Sequence, residues 1–292
     1  MKQGVLITAF HQFDLLKKLI DYFDDDFSIL IFLDKKSNFS EDQIKTLRNS
    51  KNIVFLTKPY TVNWGGPKQL KSRLLLAEEG LKFPDLEYFH FITGQDFPIK
   101  SCDYFKKFLK ANRGKEFIRS TELPKKDWIG NGGLDRMRYY YFYDYFNYYS
   151  KIGRKLIIGL VHFQKLLKIT RKIPEGFPKL YGGSASWTLS YPCLKYIVDY
   201  TKANPNFLKR FEYCFAATEI FFQTLVMNSP MKENVVNRNL RYSDWQQGNK
   251  STPAILDETD YEKLAASEAL FARKFKFPDS KKLILKLEEN LF

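Results

Sequence analysis

The first hundred residues alternate short apolar runs with segments whose leucines repeat at helical spacing. The helical repeats fall at residues 15–20 and 70–81. The apolar runs have the length of buried strands and cover residues 5–10, 27–33, 53–56 and 88–92. Strands that alternate with helices usually pair in parallel, because each helix carries the chain back across the sheet. The pattern predicts an α/β fold with a mostly parallel central sheet flanked by helices.

Polar residues stand after three of these apolar runs. His11 follows the first run, Asp34 follows the second, and Asp96 comes shortly after the fourth. The carboxyl ends of parallel strands meet at one edge of a sheet, and ligands bind beyond that edge. We therefore expect His11, Asp34 and Asp96 to lie around a common site.

Length and composition limit the classes of protein. The chain has 292 residues, of which 44% are hydrophobic, so it can bury a large core and is not disordered. We find no linker or repeat and treat residues 1–292 as a single domain. The apolar runs are shorter than the ~20 residues of a membrane-spanning helix. Three cysteines without metal-ligand spacing indicate free thiols and a cytoplasmic protein.

The formal net charge of +14 predicts an anionic partner. Nucleic acid is not favoured as that partner, because the sequence has no zinc-finger, basic-zipper or RNA-binding strand motif. The basic residues are instead concentrated in residues 150–172. The charge therefore points to a smaller anion or to an acidic membrane surface.

Residues 150–172 have the pattern of a basic amphipathic helix. On a helical wheel, Arg154, Lys165 and Lys172 share one face. The opposite face is apolar and carries Leu156, Leu160, Phe163 and Leu167. Two interpretations stay open: the helix docks on an anionic membrane surface, or it packs its apolar face on the protein core.

Seven segments, taken in order along the chain, resemble the core-2/I-branching β-1,6-N-acetylglucosaminyltransferase and peptide O-xylosyltransferase family. The closest match is FHFITGQDFPIKS at residues 89–101. Each segment is short, but their common order is specific, and the resemblance covers nearly the whole chain. The other six segments are residues 33–37, 62–66, 183–190, 218–224, 241–245 and 270–275.

The resemblance implies a GT-A-type glycosyltransferase that inverts the anomeric carbon without a divalent metal. It implies a nucleotide-binding half at about residues 1–112 and an acceptor half at about residues 113–292. The residues agree with a metal-free reaction. Asp96 is a lone acid where metal-dependent enzymes of this fold carry Asp-x-Asp, and His11, His90 and His162 are far apart in the sequence.

An inverting transfer needs a base that takes the proton of the attacking hydroxyl. The resemblance assigns this role to Glu219. Without the resemblance, Glu219 reads as a first-turn acid that stabilises a helix dipole, with Thr218 as its N-cap. Thr218 stands where the family has an aspartate, so the hydrogen bonds around the base are expected to differ.

The leaving diphosphate gains negative charge and needs a cation. The resemblance implies Lys274 in this role, with Arg273 as a second cation. It also suggests a basic residue upstream, for which we prefer Lys250 to Arg241. Fixed cations of this kind would replace magnesium and predict activity in EDTA. Ordinary solvated surface cations are the alternative interpretation of all four residues.

Donor contacts are expected at the strand ends and at one glycine turn. His11 is a candidate for the base or phosphate, and Asp34 for the uracil or ribose. Gly65, next to Trp64, would allow the backbone to approach the donor closely. A tight turn with a packed tryptophan explains the same two residues. Asp96 either binds the donor sugar or anchors its own turn.

Acceptor contacts are expected in the second half. The resemblance places Glu122 near the acceptor sugar and Trp245 under a sugar ring, whose C–H groups pack on aromatic faces. A buried core position is the alternative for Trp245. Arg138, Ser184 and Arg241 complete the predicted substrate-binding set.

The predicted function is transfer of a sugar, GlcNAc from UDP-GlcNAc, onto a saccharide hydroxyl, with β-1,6 linkage by resemblance. We expect the UDP-sugar as co-substrate, no further cofactor and no metal. The expected setting is surface or capsular polysaccharide synthesis on a lipid-linked acceptor, in the cytoplasm or at the inner face of the membrane. The alternatives are UDP-xylose, UDP-galactose or UDP-glucose as donor, or an inactive relative that only binds saccharide.

Overall fold

The computed structural model describes residues 1–245 and 251–291. The predicted α/β fold is confirmed. Its strands are β1 (Lys2–Ala9), β2 (Phe27–Leu33), β3 (Ile53–Thr57), β4 (Leu86–Thr93), β5 (Asp96–Pro98), β6 (Glu116–Ile118), β7 (Thr121–Glu122), β8 (Tyr181–Gly182), β9 (Trp187–Ser190), β10 (Val235–Val236), β11 (Arg241–Ser243) and β12 (Phe271–Arg273).

The helices flank the strands and alternate with them in the first half of the chain. They are α1 (Phe13–Asp21), α2 (Glu41–Arg48), α3 (Lys68–Gly80), α4 (Cys102–Ala111), α5 (Asp135–Arg138), α6 (Lys151–Leu166), α7 (Tyr191–Ala203), α8 (Pro205–Arg210), α9 (Phe221–Met227), α10 (Tyr261–Ala265) and α11 (Lys281–Leu291). Short 3₁₀ helices cover Ala217–Glu219, Lys232–Asn234 and Glu258–Asp260.

The central sheet has the strand order β10-β6-β9-β4-β1-β2-β3 among the described residues. β1 pairs in parallel with β2 and β4, and β2 pairs in parallel with β3. Within the described part of this sheet, only β9 runs against its neighbours, β4 and β6. The carboxyl ends of β1, β2 and β4 therefore lie side by side at one edge of the sheet.

Two hydrophobic clusters cover the two faces of this sheet. Alternate residues of β1 contribute to different clusters, with Val5 in the first and Leu6 in the second. The first cluster includes residues of α1, α2, α4 and α11, and the second includes residues of α3, α7 and α9. Because both faces are covered, the central strands carry apolar residues on both sides, as in Val5-Leu6-Ile7 of β1 and Ile29–Leu33 of β2. Both clusters combine residues from the two halves of the sequence.

A small second sheet joins distant parts of the chain. β12 pairs in parallel with β11 and antiparallel with β5. The carboxyl-terminal segment is not helical throughout from Tyr261, because α10 ends at Ala265 and β12 follows it. Phe271 and Ala272 are both fully buried, and consecutive buried residues suit a strand that is covered on both sides.

The segment around Glu219 is less regular than its sequence indicates. Residues 217–227 do not form one helix, because the 3₁₀ helix Ala217–Glu219 is followed by the separate helix α9. Ala216, with a φ of 50°, turns the chain into the 3₁₀ helix, and no side chain caps its start. The N-cap interpretation of Thr218 is therefore wrong.

Helix α6 occupies most of the basic segment 150–172. Ser150 caps it by accepting a hydrogen bond from the backbone N–H of Gly153. Its inward face carries Gly153, Ile157 and Gln164, so the predicted apolar face is not the buried one. Among the described helices, none combines the length and apolar character that crossing a membrane requires.

Candidate active site

A cavity of about 500 Å³ opens where β1, β2 and β4 end. Strand-end residues, among them His11 and Asp34, form one wall. The opposite wall comes from the loop before α3, from α3 itself, and from the chain around β12. It contains the predicted donor contacts Trp64, Arg273 and Lys274. Five of the residues predicted to bind the donor therefore surround one cavity.

Asp34 is held at the end of β2 by backbone bonds. Its own N–H donates to the carbonyl of Ala9 at 2.9 Å, and its Oδ1 accepts from the N–H of Lys36 at 3.0 Å. Its Oδ2 lies 3.7 Å from Nζ of Lys36. The carboxylate is buried, and it can accept hydrogen bonds from a ligand hydroxyl or N–H group.

His11 lies beside Asp34 in the strand-end wall. Burial lowers the pKa of the His11 imidazole, and the nearby charge of Lys274 acts in the same direction. The neutral ring has one donor and one acceptor nitrogen. His11 can therefore form a hydrogen bond to a ligand without adding positive charge to the cavity.

Four cations of the described chain line this cavity: Lys36 lies next to Asp34, and the other three are Arg73, Arg273 and Lys274. Arg273 and Lys274 come from the end of β12 and the residue after it, and Arg73 comes from α3. Burial, and then the charge of Arg273, lower the pKa of Lys274. The Nε of Arg273 is buried with no hydrogen-bond partner among the described residues. A buried donor without a partner is costly, so this wall is suited to bind an anion.

Arg73 was not predicted as a site residue. Its Nη1 donates to the carbonyl of Ala185 at 2.5 Å, and its guanidinium lies 4.1 Å from the ring centre of Phe91. Burial lowers the pKa of Arg73, while the carboxylate of Glu219 raises it. The sequence does contain a signal for Arg73: the arginine stands next to core residues of α3, such as Leu74 and Leu76, which are buried.

Trp64 is partly exposed and lies in an aromatic cluster at the mouth of the cavity. Its ring centre is 5.2 Å from that of Tyr148, 5.9 Å from that of Tyr149 and 5.6 Å from that of Phe215. Tyr149 also lines the cavity. Sequence reasoning did not assign Tyr149 to the site, although it lies in the tyrosine-rich run 139–149.

Gly65 makes room for the protein and not for a ligand. A Cβ at this position would lie 2.8 Å from Cε2 of Phe215, and the glycine has a φ of 77°. Its carbonyl accepts from the N–H of Ala216 at 2.8 Å. Gly65 is absent from the cavity lining, so its prediction as a donor contact is corrected. The close contact of Gly65 with Phe215 and Ala216 brings the segment that precedes Glu219 against the turn at Trp64.

Glu219 forms an ion pair with Arg136. Oε2 of Glu219 lies 2.6 Å from Nη1 of Arg136. The guanidinium of Arg136 is 4.0 Å from the ring centre of Trp128 and 5.2 Å from that of Phe215. The side chain of Glu219 remains 36% exposed, so a substrate hydroxyl can still reach it. An ion pair requires the ionised carboxylate, which is also the form that can accept a proton.

Glu219 borders the cavity but does not line it. Its link to the cavity is Arg73, which is close enough for the charges of Glu219 and Arg273 both to act on its pKa. The carbonyl of Glu219 accepts from the N–H of Gly183 at 2.8 Å. Glu219 is thus near the cations, with the Gly183 turn on its other side.

Asp96 and Arg241 form a closed pair beneath the site. Nε of Arg241 lies 3.1 Å from Oδ1 of Asp96, and both side chains are fully buried. Oδ2 of Asp96 accepts from the N–H and the hydroxyl of Thr93, each at 2.6 Å. Neither charged residue lines the cavity. The predictions that Asp96 binds the donor and that Arg241 binds a phosphate or the substrate are therefore corrected: both residues hold the β4–β5 turn.

The other predicted acceptor residues lie outside the cavity. Glu122 pairs on the surface with Lys179 at 2.8 Å. Ser184 is engaged within the protein, because its hydroxyl accepts from Nδ2 of Asn239 at 2.7 Å. The strand pair that carries Glu122 leads into the turn that contacts Glu219. Ser184 therefore follows the residue that is hydrogen-bonded to the candidate base, and Glu122 lies further along the same strand pair.

The remaining predicted residues occupy different surroundings. Arg138 ends α5, and its carbonyl accepts from the N–H of Arg171 at 2.7 Å. Trp245 is 66% exposed, which corrects the buried-core interpretation. Lys250 lies outside the described residues. In residues 1–245 and 251–291, no group of three or more His, Cys, Asp or Glu side chains could hold a metal ion.

Comparison with known proteins identifies the family. The profile of the Core-2/I-Branching enzyme family matches residues 5–265. Xylosyltransferase oxt of Drosophila pseudoobscura pseudoobscura is 28% identical over 82% of this chain and 27% of its own length. Xylosyltransferase 1 of Mus musculus is 28% identical over 82% of this chain and 23% of its own length. The chain spans about a quarter of the length of these curated relatives.

Solved structures with partial similarity include S. aureus TarS. It is 21% identical over 40% of this chain and 21% of its own chain, with a TM-score of 0.31. TarS 1–349 in complex with UDP-GlcNAc is 20% identical over 44% of this chain and 37% of its own chain, with a TM-score of 0.30. The assignment depends on the profile match, which covers most of the chain. The chain belongs to the Core-2/I-Branching enzyme family, a family of glycosyltransferases.

Proposed function

We propose that the chain is an inverting glycosyltransferase whose cavity binds a nucleoside diphosphate sugar. The observation that carries this proposal is that Arg73, Arg273 and Lys274 line the same cavity as Asp34, at the carboxyl edge of a parallel sheet. The cations would bind the diphosphate, and Asp34 would accept hydrogen bonds from the ribose or base. Family membership and the names of the xylosyltransferase relatives support sugar transfer as the reaction class.

In the proposed reaction, Glu219 takes the proton of an acceptor hydroxyl while its oxygen bonds to the anomeric carbon. The bond from that carbon to the diphosphate breaks, and its electrons pass to the diphosphate oxygen. Lys274 and Arg273 stabilise the charge that develops there, so the reaction needs no metal. Arg136 positions Glu219 through their ion pair.

The proposed donor is UDP-GlcNAc and the proposed acceptor is a saccharide hydroxyl, with β-1,6 linkage by resemblance. The xylosyltransferase relatives favour UDP-xylose as a second candidate. We place the reaction in surface polysaccharide synthesis, on a lipid-linked acceptor at the inner face of a membrane. An inactive protein that only binds saccharide is the rival proposal.

A panel of nucleotide sugars tests this function. Thermal unfolding and sugar hydrolysis are measured in EDTA with UDP, UDP-GlcNAc, UDP-xylose, UDP-galactose and UDP-glucose. We expect UDP and one UDP-sugar to raise the melting temperature, and slow hydrolysis of that sugar alone. Binding without hydrolysis or transfer to any acceptor would favour the inactive relative. Absence of any nucleotide effect would contradict the proposal.

A further inference from the structure

Helix α6 presents a second apolar face that the protein does not cover. Its inward face is small and is made by Gly153, Ile157 and Gln164. About a quarter turn away, an outward stripe falls within roughly 60° of the wheel. This outer stripe consists of Ile152, Leu156, Phe163 and Leu167, which are between 43% and 74% exposed.

Exposed apolar side chains are concentrated around this helix. Of the seventeen large hydrophobic residues that are exposed in the described chain, ten lie between Tyr140 and Ile169. Scattered exposed hydrophobics need no explanation, but a contiguous group of this kind marks an interaction surface. The outer stripe is therefore a candidate contact face and not ordinary surface.

The charge of the same segment identifies the partner. Between Asp144 and Glu175 the sequence has seven Lys and Arg residues and no Asp or Glu. Among the described residues, Lys165 is the only one of these seven in an ion pair with a carboxylate, that of Asp135. Arg171 is partly buried and donates to the carbonyl of Arg210. The remaining five cations are exposed and available to an external anion, namely Lys151, Arg154, Lys155, Lys168 and Lys172. A second copy of the chain would bring two positive segments together, so the charge disfavours self-association through this face.

We propose that α6 docks the protein on an anionic lipid bilayer, with the outer stripe in the interface and the lysines at the headgroups. Helices with this combination lie in the membrane plane and bury their apolar face just below the headgroups. Lysine stems can extend along the apolar surface while their charges stay in water. Docking on the membrane does not depend on whether the protein is catalytically active. The idea that docking presents a lipid-linked acceptor rests on the proposed function.

The position of α6 connects this surface to the cavity. Asn147 and Tyr149 line the cavity, and Ser150 caps the helix directly after them. A bilayer under α6 would therefore lie near the cavity mouth. A headgroup-linked saccharide could reach the site from that side, while the nucleotide sugar would enter from solution.

Vesicle flotation with the full chain tests the docking. The vesicles contain phosphatidylcholine alone or with 30% phosphatidylserine, and we expect binding to the anionic vesicles that weakens as salt rises. The charge variant combines Lys151→Glu, Lys155→Glu and Lys168→Glu. It should weaken binding on the order of 100-fold, because each lysine near the surface contributes roughly fivefold. The stripe variant Phe163→Ser/Leu167→Ser should bind weakly even at low salt.

Matched controls separate specific docking from net charge. Lys45→Glu/Lys107→Glu/Lys110→Glu makes the same charge change on α2 and α4, and Leu285→Ser removes an exposed apolar residue on α11. Both controls should bind vesicles nearly as well as the unchanged protein. Equal binding of all variants, or no binding by the unchanged protein, would overturn the proposal.

Two further measurements test for rival partners and distinguish a failure of the docking proposal from a failure of the proposed function. A dimer that the stripe variant dissociates, seen by sedimentation without vesicle binding, would instead assign the stripe to self-association. Salt-sensitive binding to RNA or DNA with no vesicle binding would also overturn the docking. UDP-sugar binding and hydrolysis should be unchanged in the docking variants. If docking holds while no nucleotide sugar binds, only the proposed function fails.

Discussion

The two walls of the cavity hold their side chains by different means. In the strand-end wall, Asp34 and His11 follow parallel strands whose ladders extend through the centre of the sheet. In the opposite wall, Arg273 stands on a three-residue strand, and Glu219, which does not line the cavity itself, stands on a three-residue 3₁₀ helix. These short elements are held by particular side chains, such as Arg136 beside Glu219. Substitutions should therefore affect the opposite wall more severely than the strand-end wall.

The largest effect is expected for Glu219→Gln. Loss of the base should lower the transfer rate roughly 10³-fold, which lies within the range for general base catalysis. UDP affinity should stay nearly unchanged, because the diphosphate cations remain. Steady-state transfer rates and calorimetry with UDP check this. The exposed Glu262→Gln serves as the control, and a Glu219→Gln variant with more than a tenth of the original rate would contradict the assignment.

Arg241→Ala tests whether the buried pair supports both walls. Removing one partner of a buried ion pair leaves an uncompensated charge, so the free energy of unfolding should fall by about 3–5 kcal/mol. Urea denaturation measures this loss. Arg238→Ala, which breaks the exposed pair with Glu268, should cost less than about 1 kcal/mol. Similar losses for the two variants would show that the Asp96–Arg241 pair contributes no more to the free energy of unfolding than an exposed ion pair does.

Lys274→Ala tests the diphosphate cation. The variant should lower kcat/KM by about 10²–10³-fold, as removal of one charge-stabilising group typically does. The assay is run in EDTA, where the unchanged protein should keep its activity. Lys276→Ala changes an exposed lysine outside the cavity lining and should have a much smaller effect. Rescue of the Lys274→Ala variant to full activity by magnesium would indicate that metal can replace the lysine.

Glu116→Gln alters the large sheet away from either wall. Burial raises the pKa of Glu116 to about 7 from an ordinary value of 4.5. The folded protein therefore favours the protonated form of Glu116. The resulting contribution to stability is complete below pH 4.5 and is lost as the pH rises through 7. The unfolding free energy of the unchanged protein relative to Glu116→Gln should fall by about 3 kcal/mol between pH 4.5 and pH 8. Denaturation at both pH values checks this; a constant difference, as expected for Glu262→Gln, would contradict it.

The strand-end wall could be predicted because its elements are local in sequence. The run at residues 27–33 is apolar throughout, and the strand has the predicted bounds. Once the strands are parallel, the positions of His11 and Asp34 follow from the sheet alone. For Glu219, Arg273 and Lys274 the family resemblance was needed, since no local pattern distinguishes them from ordinary surface charges.

The contacts that hold the opposite wall could not be predicted, because they join residues far apart in the chain. Arg241 pairs with Asp96 across 145 residues, so an apparent ligand-binding charge is a structural one. Gly65 has the glycine pattern of a ligand turn, yet its space is filled by Phe215. Arg73 was missed because its position among apolar helix residues indicates burial but does not indicate that its side chain lines a cavity.

The small sheet has a consequence for how the site accommodates substrates. Its strand β12 carries Arg273 and is hydrogen-bonded to β5, which begins three residues after β4 ends. A backbone ladder thus ties Arg273, a proposed phosphate-binding cation, to the same frame as the strand ends that form the proposed nucleotide site. The two sides cannot hinge apart without breaking that ladder. We therefore expect adaptation to different acceptors to occur in the aromatic residues around Trp64 and Tyr149. These residues can be substituted one at a time while the reacting groups keep their spacing.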